Sequence, residues 1–102
     1  MDIELLVVPD CPHAQPAADR LRQLLDGLGR HDLTFTTRVI ADQAEAEAAG
    51  FTGSPTFLIN GLDPFAEPDR APGLTCRIYR TADGPAGVSA SDQLRCALAG
   101  AL

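Results

Sequence analysis

Basic residues are scarce in this chain: Lys and Arg total 8 against 14 Asp and Glu, a formal net charge of -6 over 102 residues. Phosphate backbones and anionic headgroups reward clustered cations, so nucleic acid and membrane surfaces are not expected partners. Long hydrophobic runs are missing near the start. Residues 5–8 in "MDIELLVVP" are too few for a signal core or a membrane span, and the acids before them stand where a secretion signal carries basic residues. A cytoplasmic protein is expected. Cysteine is sparse as well. Three cysteines, an odd number, do not build the disulfide framework of a small secreted domain. With no Cys-x-x-Cys pair and no helically spaced histidine partner, the spacing of a structural zinc site is absent too. A Gly-rich phosphate motif, a Gly-x-Ser-x-Gly elbow and a paired-carboxylate constellation are all lacking, which removes the usual sequence signals for nucleotide binding, serine hydrolysis and two-carboxylate catalysis. No metal or cofactor is predicted.

What is present suffices for one core. Hydrophobic residues make up 45% of the chain, and at this length a single domain spanning residues 1–102 is expected. There is no internal repeat. "IELLVVP" is short, branched and apolar, the pattern of a buried strand closed by Pro9. From Ala14 the apolar positions Ala17, Leu21, Leu24, Leu25 and Leu28 follow spacings of three and four, so a helix carries them on one face until Gly27 and Gly29. "LTFTTRVI" alternates with period two and reads as a strand beside the first. "ADQAEAEAAG" has high helix propensity, acids near its start and Gly50 past its end, which predicts a short second helix. "TFLIN" reads as a third strand ending at the turn signal of Asn60 and Gly61. After a Pro-rich loop, "LTCRIYR" reads as a fourth strand forming an antiparallel pair with the third. The "ADGPAG" turn then leads to a closing helix with Leu94, Ala97, Leu98 and Ala101 on one face. The predicted architecture is α/β, in the order β-α-β-α-β-β-α: a four-stranded mixed sheet flanked by three helices, opened by a right-handed crossover between parallel strands.

The chemistry concentrates in "VVPDCPHAQP". Cys11 stands at the head of the first predicted helix, where unpaired N–H groups and a partial positive charge favour a thiolate over a thiol. Pro12 suits the first helical position, because its missing donor is an orphan there anyway. His13, when protonated, adds to the same field. Pro16 weighs against this, since a helix continuous from Pro12 needs its N–H; the helix is then kinked, or begins at Pro16 and leaves Cys11 in a loop. The phase of Ala14 with the later apolar face favours the continuous helix.

A strand, then Cys11, Pro12, His13 and Ala14 opening a helix, then Ser54 and Pro55 before the third strand: with the element order, this combination resembles the thioredoxin-like superfamily. The tetrapeptide is similar to the Cys-Pro-His-Cys of DsbA-type oxidoreductases, with Ala14 in place of the second cysteine. The resemblance spans nearly the whole chain as architecture but only these few residues as motif, and the loop of residues 63–73 is not part of the minimal pattern. It implies a thiol-disulfide oxidoreductase with Cys11 as nucleophile, His13 tuning the thiolate, and Pro12, Ser54 and Pro55 shaping the substrate site. Pro55 is then expected to be cis and to lie against Cys11. Ser54 is expected to offer backbone hydrogen bonds to an incoming peptide or low-molecular-weight thiol.

Ala14 departs from that family. A two-cysteine cycle needs a second thiol to release the mixed disulfide. Without one, Cys11 acts as a monothiol until an external thiol or another cysteine of the chain resolves the adduct. Cys76 is the first candidate resolver: a fourth strand turning back near Asn60 holds its early residues far from Pro55 and beyond disulfide reach, while the intervening loop is long enough to alter that register. As a structural residue Cys76 is a small buried strand position, and Cys96, off the Leu94 face, is incidental. Two alternatives stay open: a redox-inactive module holding a peptide beside Pro55, and a thiolate site for a soft metal or an organomercurial at Cys11, next to Asp10. Arg70, Arg77 and Arg80 read as a solvated face or as partners for substrate carboxylates. Phe51, Phe57, Phe65 and Tyr79 read as core or loop packing, and His31 as a solvated loop residue.

Overall fold

The computed structural model describes residues 2–30, 32–67 and 70–101. Alternation along β1 (Ile3–Val7) divides the protein into two faces, because successive side chains of a strand point to opposite sides. Ile3, Leu5 and Val7 are buried against Ala17, Ala18, Leu21 and Leu25 of α1 (Ala14–Gly27) and Leu94 and Leu98 of α3 (Ser91–Ala101). Leu6 packs on the opposite side with Ile40, Ala46 and Phe51, around α2 (Gln43–Ala49). A strand covered on both faces has no polar side to show, which is why "IELLVV" reads as a nearly continuous apolar run.

β1 is the middle strand of a three-stranded sheet ordered β2-β1-β3. β2 (Thr36–Val39) runs parallel to it, pairing Leu5 with Thr37, and β3 (Thr56–Ile59) runs antiparallel, pairing Leu5 with Phe57. β2 is shorter than the "LTFTTRVI" run and exposed throughout, as befits an edge; Ile40 just beyond it is the residue that enters the core. α2 matches the predicted short helix. Its N-cap Asp42 accepts a hydrogen bond from the Glu45 N–H at 2.8 Å, and Gly50 closes it in the left-handed conformation.

Among the described residues the sheet has three strands where four were expected, and the third and fourth strands do not pair. β3 ends in a tight turn where Ile59 and Leu62 exchange backbone hydrogen bonds of 2.8 and 3.1 Å. Pro64 follows, with no N–H to extend that ladder. Only the end of "LTCRIYR" becomes regular strand: β4 (Tyr79–Thr81) pairs with β5 (Gly84–Ala86) in a separate two-stranded ribbon. Ala82 and Asp83, at the start of the stretch read as a turn, close this hairpin, and Gly84 opens β5 at φ 105°. The observed order is therefore β-α-β-α-β-β-β-α. Among the described residues, no helix is long and apolar enough to cross a membrane.

Candidate functional site

Cys11 lies in the turn between β1 and α1. Asp10 takes a positive φ of 58° there, and Cys11 is half-buried, packed against the core that contains Val7 and Ala17. His13 is the N-cap and Ala14 the first helical residue, so Pro12 precedes the helix and does not open it. Pro16 is then the third helical residue, within the first turn whose N–H groups have no intrahelical acceptor, and the helix needs neither a kink nor a later start. This start also changes the electrostatics expected at the sulfur. The Cys11 carbonyl accepts the Ala14 N–H at 3.2 Å and Pro16 has no donor, so neither of these first-turn positions offers the sulfur a free N–H.

His13 is held from the other side of the fold. A β-carbon built on Gly87 would lie 2.5 Å from both Cε1 and Nε2 of the imidazole, so the ring tip rests directly on the backbone linking β5 to α3. Only glycine leaves that space. The His13 side chain makes no capping hydrogen bond.

The bend that the motif pairs with Cys11 lies just before β3. The Ser54-Pro55 peptide bond is cis. Ser54 is fully buried, and its Oγ accepts the Val8 N–H at 3.1 Å, which ties the bend to the end of β1 and thus to the turn carrying Cys11. Its backbone is occupied as well. The Ser54 N–H donates to the Thr75 carbonyl at 2.8 Å, and the Arg77 N–H donates to the Ser54 carbonyl at 2.9 Å. The backbone groups expected to receive a peptide are therefore paired with the chain's own residues 75–77. Pro55 is buried, and its carbonyl accepts the Tyr79 hydroxyl at 2.5 Å.

Cys76 is thereby placed differently from its expectation. It sits opposite Ser54 in a parallel bridge, adjacent to the bend and not distant from it, and it is exposed where a buried strand position was predicted. The chain turns at Asn60 and Gly61 but does not continue as a strand on β3, and residues 75–77 lie alongside Ser54.

A buried arginine holds that return. Arg77 is 3% exposed, and its guanidinium donates to Asp63 at 2.7 and 3.3 Å, to Thr56 Oγ1 at 3.2 Å and to the Phe65 carbonyl. It also lies 4.8 Å over the ring of Tyr79. Arg77 is thus a structural clamp and not part of a solvated face or a substrate-carboxylate site. Arg80 is exposed, and Arg70 pairs with Glu67 at 3.3 Å. Burial pushes the Tyr79 hydroxyl well above its ordinary pKa near 10; the Asp63 charge adds to this, and Arg77 opposes it. Phe51 and Phe57 are core residues, while Phe65 meets Tyr79 edge-on at 5.4 Å. Cys96 is exposed on α3, and His31 lies outside the described residues.

Two cavities lie away from these residues. One of about 240 Å³ lies between α1 and the approach to β2, where Arg22 covers Phe35; another of about 630 Å³ is lined by Leu62, Pro64 and Ala97. Neither includes a cysteine or a histidine. No group of three or more His, Cys, Asp or Glu side chains suited to a metal ion occurs among the described residues.

Fold and site together define a mixed α/β protein with three helices among the described residues, a half-buried cysteine in the turn before a helix, and a second, exposed cysteine whose backbone bridges the serine of a cis Ser-Pro bend. Compared with protein-family models, with curated proteins and with solved structures, the chain matches none.

Proposed function

We propose that this chain is a thioredoxin-like thiol-disulfide exchange protein in which Cys11 is the nucleophile and the substrate is a low-molecular-weight disulfide. The observation that carries the reading is the 3.1 Å bond from the Val8 N–H to Ser54 Oγ, joining two motifs 46 residues apart in sequence. Half-burial supports it too: Cys11 packs against the core and stays partly exposed to solvent. In the reaction, Cys11 Sγ attacks one sulfur of the substrate disulfide. A Cys11 mixed disulfide forms, the substrate S–S bond breaks, and the departing thiolate takes the proton Cys11 has lost.

The occupied backbone of Ser54 argues for a small substrate. An extended peptide adding a strand at this bend finds both the N–H and the carbonyl already bonded to residues 75–77. The same observation weighs against a module that holds a peptide noncovalently beside Pro55.

Alkylation by iodoacetamide near neutral pH tests the nucleophile. Cys11 is expected to react several-fold faster than the exposed Cys96 of the same chain, and Cys11→Ser to lose exchange with glutathione disulfide. Equal rates at Cys11 and Cys96, with exchange retained in Cys11→Ser, overturn the reading.

A further inference from the structure

We infer that Cys76 is the resolving thiol for the Cys11 mixed disulfide, an inference that rests on the reaction proposed for Cys11. The Ser54 hydroxyl accepts the N–H of Val8, three residues before Cys11, and the Ser54 backbone bridges that of Cys76. Neighbouring strands lie about 4.8 Å apart, so the Cys76 backbone is one strand spacing from the serine that anchors the Cys11 turn. The segments carrying the two cysteines are both bonded to this one serine.

Side-chain direction follows from the alternation of this extended segment. Arg77 points inward to Asp63 and Thr56, so Cys76 before it and Ile78 after it point out, and both are exposed. The clamp on Arg77 holds the Cys76 backbone while leaving its thiol free. Cys11 lies in a turn outside β1 and α1, where a backbone shift toward Cys76 breaks no strand ladder. Ala14 removes the usual partner three residues on; Cys76 replaces it from a different element.

The step balances without another oxidant. The Cys76 thiolate attacks Cys11 Sγ in the mixed disulfide, the Cys11–Cys76 bond forms, the bond to the substrate sulfur breaks, and the released thiolate takes up the proton lost by Cys76. Over both steps the small disulfide is reduced to two thiols and the protein gains one disulfide. A low-molecular-weight dithiol, such as dithiothreitol in the assay, returns the protein to its dithiol form.

The test treats the full chain and its Cys76→Ser and Cys96→Ser variants with glutathione disulfide and follows intact mass and non-reducing peptide maps. Cys76 is exposed, so serine buries no hydroxyl there. The unmodified chain and Cys96→Ser are expected to end as a Cys11–Cys76 disulfide, while Cys76→Ser accumulates a glutathione adduct on Cys11 that persists roughly tenfold longer or more. An adduct on Cys11 equally long-lived in the unmodified chain overturns the role of Cys76 and leaves the exchange reaction standing. A disulfide mapped from Cys11 to Cys96 also overturns it. Absence of any adduct or disulfide at Cys11 in all forms overturns the exchange reaction, and the inference falls with it.

Discussion

Gly53 has no side chain where Arg77 needs room. A β-carbon there would lie 2.9 Å from Arg77 Cβ and 3.1 Å from its backbone, at a φ of 156° that favours glycine. Neither neighbour swings aside easily, because both belong to a buried residue bonded on several sides. Gly53→Ala is expected to destabilise the fold by about 2 kcal/mol or more, read from the urea midpoint. A change under about 0.5 kcal/mol, the range of an ordinary surface substitution, contradicts the close packing. At this scale the sequence was unevenly legible. Cys11 and the Ser54 and Pro55 pair stand out because each carries its chemistry in a short local pattern. Arg77 does not, since a charged residue in a period-two run looks the same whether it faces solvent or a carboxylate far along the chain. The role of Gly87 is equally hidden, because it depends on His13 arriving from another element.

Among the elements, the segment from β3 to β4 departs most from the reading of its sequence. α1, α2 and β1 were legible because helical spacing, a cap signal and an unbroken apolar run are properties of neighbouring residues. The placement of residues 75–77 beside Ser54 instead depends on the Arg77–Asp63 pair, with both side chains largely buried at 3% and 13% exposure. Nothing local marks those partners. The same pair determines where Cys76 comes to rest, so it has a consequence beyond stability. Asp63→Asn leaves a buried cation with one neutral partner in place of a carboxylate, and the expected loss is about 3 to 5 kcal/mol by chemical denaturation. Where the variant remains folded, residues 75–77 are expected to exchange their amide hydrogens faster, the Arg77 N–H to Ser54 bond being among those released. Unchanged stability and unchanged exchange at those amides would show that the loop is held by something other than the clamp.

For the whole protein, the question is how a three-stranded sheet and a separate two-stranded ribbon share one core. Tyr79 joins them. It belongs to β4, its ring lies 6.3 Å from that of Phe57 in β3, and its hydroxyl donates to the Pro55 carbonyl. Burial keeps that hydroxyl protonated beyond the pH at which an exposed tyrosine ionises, and the Asp63 charge reinforces the effect while Arg77 reduces it. The sign of the linkage follows directly. Above about pH 10 the unfolded chain releases the proton while the folded chain retains it, so the folded state binds more protons and stability falls as pH rises. Below about pH 10 both states are protonated at this group and its contribution is complete. Tyr79→Phe is expected to lose about 1 kcal/mol near neutral pH with the hydrogen bond, and to lose less further stability than the unmodified chain on going to alkaline pH. Urea midpoints at about pH 8 and about pH 11 measure this, and the gap between the two proteins should narrow at the higher pH. Parallel alkaline losses in the two would mean that Tyr79 ionises as freely in the folded chain as in the unfolded one, and that sheet and ribbon are not joined through a protonated phenol.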